Sequence, residues 1–192
     1  MSDWIGPNTY YIVSRMKDTA FIDLSTGSAA PDAKVQIWDA PDRDNPNAIW
    51  SIVHLGIGSS GKYEYHIMNR KSGTYLTSPT SDVISKTDTE LLVTANPTTP
   101  WTNRSRWCIV PCRNNTGAYW IVPVLNTKLT LNIKGGGVAG GVTSKTEIIL
   151  WPIEKAGGAS TKNSQWFLRL SDDAILNCPK IAPAALETAT YT

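Results

Sequence analysis

Asn47-Ala48-Ile49-Trp50-Ser51-Ile52-Val53 is the stretch that decides the fold: polar residues run into a Trp, and a short apolar strand follows. The pattern returns as Arg104-Ser105-Arg106-Trp107 before Cys108-Ile109-Val110, and as Asn163-Ser164-Gln165-Trp166 before Phe167-Leu168-Arg169-Leu170. The three Trp are 57 and 59 residues apart. Such self-similarity is the mark of a repeat architecture. Upstream of each Trp the same pieces recur in the same order. An opening strand (Tyr10 to Val13, Tyr65 to Met68, Tyr119 to Val122) is followed by a second (Phe21 to Leu24, Tyr75 to Thr77, Leu129 to Ile133). A third follows a loop rich in Gly, Ser, Thr, Asp and Pro: Val35 to Trp38, Glu90 to Val93, Ile148 to Trp151.

All of these segments are short and rich in β-branched and aromatic residues, and turn formers separate them, so the chain reads as all-β. Three like units that cannot each bury an apolar face should close around a shared axis. Four strands per repeat make twelve, which predicts a β-trefoil; a six-bladed or sandwich arrangement fits the count less well. The repeats occupy about 9–55, 63–110 and 118–170 of a single domain over 1–170. Residues 171–192 form a C-terminal extension, expected as an extra strand or short helix on the barrel, with a dimerising arm or an unstructured tail as the alternative.

Composition narrows the partners. Eighteen basic residues against 16 acidic give a net charge of +2 with no dense Lys/Arg run, which argues against nucleic acid. Eight Trp and seven Tyr against two Phe suit half-wet surfaces that face a ligand. Cys108, Cys112 and Cys178 make neither a disulfide framework nor a four-ligand zinc pattern. The N-terminal stretch from Met1 to Val13 lacks the apolar core of a signal peptide, and no segment approaches a membrane span. A soluble cytoplasmic protein is expected, which makes the sequons at Asn103 and Asn114 incidental. No cofactor and no metal are expected.

The first repeat carries the chemistry. Asp23 lies in its second strand, Gln36 and Trp38 in its third, and Asn47 just before the closing Trp. These four positions resemble the ricin-B lectin repeat, in which an aspartate, a Gln-x-aromatic and an asparagine form a galactose pocket. The likeness covers roughly residues 9–170, and it implies a non-catalytic lectin for terminal galactose or N-acetylgalactosamine, with Asp23, Gln36, Trp38 and Asn47 as the binding residues. The physics agrees: an ionised Asp accepts from neighbouring hydroxyls, an Asn amide donates to one of them, and a Trp face carries the sugar's C–H groups. In the second repeat Thr77, Val93 and Arg104 take the places of Asp23, Trp38 and Asn47, and the pocket is expected to be lost. The third keeps Asn132, Trp151 and Asn163 with Ile149 for the Gln, a second candidate carbohydrate site. The Gln of the family's closing Gln-x-Trp is Ala48, Ser105 or Ser164 here.

Partners implied by the resemblance are galactose-type glycans on glycoproteins or glycolipids. Cross-linking them in defence would need a second site or a homodimer. The competing reading is a β-trefoil protease inhibitor acting through a loop such as Ser78 to Asp88. Other signals carry less. Gly135 to Gly140 matches GxGxxG but no helix follows to hold a phosphate. Asp39, Asp42 and Asp44 read as a solvated loop, and His54 and His66 lack partners for a triad or a metal cluster. No carboxylate pair for glycoside hydrolysis stands out.

Overall fold

The computed structural model describes residues 2–40, 45–80, 91–97, 102–135, 142–153, 159–172 and 174. Among these there is no α-helix, only strands and short 3₁₀ turns. The strands are β1 (Asn8–Ser14), β2 (Ala20–Leu24), β3 (Ala33–Asp39), β4 (Ile49–Ile57), β5 (Tyr63–Asn69), β6 (Tyr75–Thr77) and β7 (Leu91–Leu92). They continue as β8 (Thr94–Asn96), β9 (Arg106–Pro111), β10 (Tyr119–Pro123), β11 (Leu129–Ile133), β12 (Ile148–Pro152) and β13 (Trp166–Leu170).

First and fourth strands of the repeats close a six-membered ring. The antiparallel pairs run β1–β4, β4–β5, β5–β9, β9–β10, β10–β13 and back from β13 to β1. The register repeats with the sequence: Tyr10 faces Trp50, Tyr65 faces Trp107, and Tyr119 faces Trp166. The second and third strands form hairpins that cap this barrel. Their third strands meet one another, Lys34 opposite Thr94, Leu92 opposite Ile149, and Gln36 bridging to Glu147. This is the expected β-trefoil.

The recurring Trp is the centre of each repeat rather than a ligand platform. Trp50, Trp107 and Trp166 are all 0% exposed, and each indole must find an acceptor because an unmade buried hydrogen bond is costly. Each donates to the same place on its repeat's second strand: Ile22 O at 2.9 Å, Leu76 O at 2.9 Å and Leu131 O at 3.1 Å. The residue after each of these carbonyls is Asp23, Thr77 or Asn132. The core Trp therefore fixes the backbone on which the site residue stands.

One alignment is corrected by the register. In the first repeat Asp23 pairs with Gln36 and Phe21 with Trp38; in the second, Thr77 pairs with Thr94 and Tyr75 with Asn96. Asn96, not Val93, occupies the place of Trp38. Val93 matches Val35 and Ile148, all three buried in one apolar cluster. Inward-facing residues set strand register because a one-residue slip turns the apolar face outward. The second repeat's third strand is also split, Leu91–Leu92 pairing with β12 and Thr94–Asn96 with β3 and β6. Among the described residues there are therefore thirteen strands, the second repeat's third strand counting as two.

Trp4 meets the ring of opening-strand tyrosines, with ring centroids 5.2 Å from Tyr10, 5.7 Å from Tyr65 and 6.2 Å from Tyr119. The Tyr10 hydroxyl donates to Gly6 O at 2.6 Å, and burial pushes its pKa up to about 12. The N-terminal segment also joins β13, Asp3 N donating to Leu168 O at 2.7 Å. Of the C-terminal extension only Ser171, Asp172 and Ala174 are described, so its expected strand or helix, and Cys178, lie outside the described residues.

Candidate functional site

Asp23 emerges from β2 directly above the Trp50 hydrogen bond and is 2% exposed. Across the hairpin Gln36 Nε2 donates to Asp23 Oδ1 at 3.1 Å, and Asn45 Nδ2 donates to Oδ2 at 2.9 Å. Burial is the larger influence on this carboxyl and raises its pKa, while the two amide donors and the Lys71 charge pull it down. A carboxylate has about four acceptor positions, so each oxygen keeps one free after these bonds.

Asn45 is a residue that the sequence reading missed. It begins the 3₁₀ turn Pro46–Ala48, its side chain accepting from Asn47 N at 3.0 Å while its amide holds Asp23. The Asn-Pro pair is a turn signal that could have drawn attention to it. Asn47 itself does not touch Asp23 in the hydrogen-bond pattern. Its Oδ1 is buried without a partner, close to Gly27, where a Cβ would come within 2.6 Å of it. Gly27 also has φ 64, so the turn needs glycine for both reasons.

These side chains open on one cleft of about 720 Å³, lined by Asp23, Gln36, Trp38, Asn45 and Asn47 together with Ser25, Thr26, Lys34, Ala40 and Lys145. All four residues expected from the sequence are brought together there. Trp38 is half-buried and lines the cleft. Lys145 comes from the third repeat. Its loop lies along β3, with Ile37 N donating to Thr146 O and Lys145 N to Ile37 O, both at 2.7 Å, and Asp39 N to Ser144 Oγ at 2.9 Å. The cleft thus belongs to two repeats, which no reading of one repeat alone could show.

The other repeats differ. In the second, the Thr77 hydroxyl turns back to Tyr75 O, and Arg104 Nε donates to Ser78 O at 2.9 Å, so neither points at an Asp-like anchor. In the third, Asn132 stands at the Asp23 position, and Asn163 Nδ2 donates to its Oδ1 at 3.0 Å. Asn163 Oδ1 is buried without a partner, as Asn47 Oδ1 is. Trp151 on β12 is half-buried, and Ile149 fills the Gln position with an apolar side chain. This group has the neutral amide but not the charge.

Other candidates fall away or lie elsewhere. His66 is buried against Ser105 Oγ at 3.4 Å and stacks edge-on with Tyr75; burial, aided by Arg106, lowers its pKa. Asp39 is held by Lys17 at 2.5 Å, and no His/Cys/Asp/Glu cluster for a metal occurs among the described residues. Asp42, Asp44, the loop from Thr80 onward to Asp88 and the glycines from Gly136 to Gly140 lie mainly or wholly outside the described residues.

The family model for ricin-type beta-trefoil lectin domain-like proteins matches residues 46–151, more than half of the chain. The chain belongs to this family. The match begins at Pro46, so Asp23, Gln36 and Trp38 rest on geometry rather than on the matched span. No curated protein matches by sequence. Among solved structures, the designed threefold-symmetric protein ThreeFoil has a TM-score of 0.65 at 21% identity, covering 83% of this chain and 96% of that one. The Rhizoctonia solani agglutinin has 0.62 at 18%, covering 88% and 98%. The ricin B-like lectin of Macrolepiota procera, solved in complex with lactose, has 0.59 at 20%, covering 89% and 98%. At these identities the likeness establishes the shared ricin-type trefoil of this lectin family and its fold neighbours.

Proposed function

We propose that the chain is a non-enzymatic lectin whose first-repeat cleft takes a terminal galactose or N-acetylgalactosamine. The observation that carries this reading is the Asp23 carboxylate, held by Gln36 and Asn45 with acceptor capacity to spare, in a cleft that Trp38 and Asn47 also line. A sugar supplies the complement of each: two adjacent hydroxyls for the carboxylate, a hydroxyl acceptor for the Asn47 amide, and a C–H face for Trp38. The Macrolepiota procera lectin was solved with lactose and an earthworm R-type lectin with GalNAc, which favours the galactose series. Asp23 is the single carboxylate among the described lining residues, whereas glycoside hydrolysis ordinarily uses two flanking the bond. Binding without turnover fits that composition.

The third repeat, with Asn132, Trp151 and Asn163, would serve as a second and weaker site, or two copies of the chain would pair; either gives the multivalency that cross-linking of glycans requires. A glycan array probed with the wild type and Asp23→Ala tests the reading. Selective binding to galactose-type glycans, lost in the variant, is expected. A folded wild type that binds no glycan would overturn it and turn attention to protease panels.

A further inference from the structure

Two lysines at the cleft are not needed to hold a neutral sugar. Lys34 on β3 and Lys145 on the third-repeat loop are both exposed and both line it. Lys34 Nζ donates to the backbone oxygen of Lys145 at 3.1 Å, so the two side chains start from adjacent points on one rim. An ammonium has three donors, and this bond uses one of them.

Among the described residues, the acids nearest this rim have partners of their own. Asp39 pairs with Lys17 at 2.5 Å, Glu147 pairs with Lys134 at 3.1 Å, and Asp32 accepts from Thr94 and Asn96. Neither Lys34 nor Lys145 has a carboxylate partner among the described residues. Among the described lining residues two cations therefore stand against the one carboxylate of Asp23. The Asp23 charge is attended by a different lysine, Lys71.

Backbone geometry fixes where Lys145 stands. Lys145 has φ 72, a left-handed conformation that residues with side chains rarely adopt. Its N–H and its carbonyl are both bonded across the repeat boundary, to Ile37 O and from Lys34 Nζ. These bonds hold the Lys145 backbone against β3, so its side chain starts from a fixed point beside Lys34.

We infer that the Lys34–Lys145 rim selects galactose-type glycans bearing an anionic group, a sulfate ester or a carboxylate, next to the sugar held by Asp23. The inference rests on the lectin reading and deepens it. The anchor sugar occupies the Asp23–Trp38 end of the cleft, and the anion meets two ammonium groups where the first and third repeats join. Exposed ion pairs are individually weak, so the gain from two is about 3- to 10-fold in affinity, and it shrinks as salt screens the charges.

The test is calorimetric titration of the wild type with lactose, 3′-sulfated lactose and 3′-sialyllactose at low and high salt, beside Lys34→Gln/Lys145→Gln and Asp23→Ala. Inorganic sulfate serves as a competitor. Expected is tighter binding of at least one anionic sugar over lactose by that factor, with the ratio falling to about one in the double lysine variant and at high salt. Preference for the sulfated or the sialylated probe identifies the anion's source. Equal affinities for all three sugars in the wild type, or an anionic preference that survives loss of both lysines, would overturn the inference while leaving the lectin reading intact. Failure of the wild type to bind even lactose, or anionic binding indifferent to Asp23→Ala, would overturn the lectin reading itself.

Discussion

Burial costs the Asp23 carboxylate more than Gln36, Asn45 and Lys71 return, which is why its pKa lies above the ordinary range. A group arranged in this way is placed against stability. Two consequences can be measured on one variant. Asp23→Asn keeps the shape, and a flip of the Gln36 amide restores both hydrogen bonds, so its melting temperature should equal or exceed that of the wild type. Galactoside affinity should fall by about tenfold or more, since hydrogen bonds to a charged acceptor are lost. The pH dependence follows from the same shift. The folded state holds the Asp23 proton more tightly than the unfolded chain does, so acidification through the raised pKa relieves the burial cost while it removes the acceptor charge. Binding should therefore decline on acidification at a pH above the ordinary carboxylate value of about 4, before the fold weakens. A variant that loses stability in step with binding would show Asp23 to be a structural residue.

At the scale of elements, the hairpin of β2 and β3 works because Trp50 pins it from beneath, and the same device recurs under β6 and β11. Trp107→Phe isolates the device in the repeat without a pocket. It leaves Leu76 O without its donor and opens a small void, and should cost about 1–3 kcal/mol of stability by denaturant unfolding. No change in unfolding midpoint would show that the indole hydrogen bond is idle. The strands around these Trp were legible in the sequence because each couples a turn to an alternating apolar face, and the four residues of the first-repeat cleft followed from their order. What was not legible depends on contacts between repeats. The Val93 position was misplaced because Leu91, Leu92 and Val93 form an apolar run whose inward face only the partner strands decide. Asn45 escaped because its part is a hydrogen bond across a turn rather than a place in a pattern, and Lys145 because its loop is docked on another repeat's strand.

For the molecule as a whole, the interior is tight enough to silence its thiols. Cys108 and Cys112 are buried, and burial raises both pKa values, that of Cys112 to about 12. Only the thiolate reacts, so neither residue should be alkylated by iodoacetamide at pH 8 in the native protein, and both should be in urea, as read by peptide mass mapping. Rapid native labelling of either would mean that the barrel opens locally far more readily than its packing implies.

The barrel is sealed by β1 against β13, with Tyr10 opposite Leu170 and Asp3 bonded to Leu168. On a ribosome, β1 must wait for β13, exposing an unpaired edge and the Tyr10 side of the core until the third repeat is complete. Closing so long a loop is slow compared with forming the hairpins between neighbouring strands. Hairpins will accumulate early and the sealed barrel late, which places the chain's greatest hazard of self-association in its nascent state.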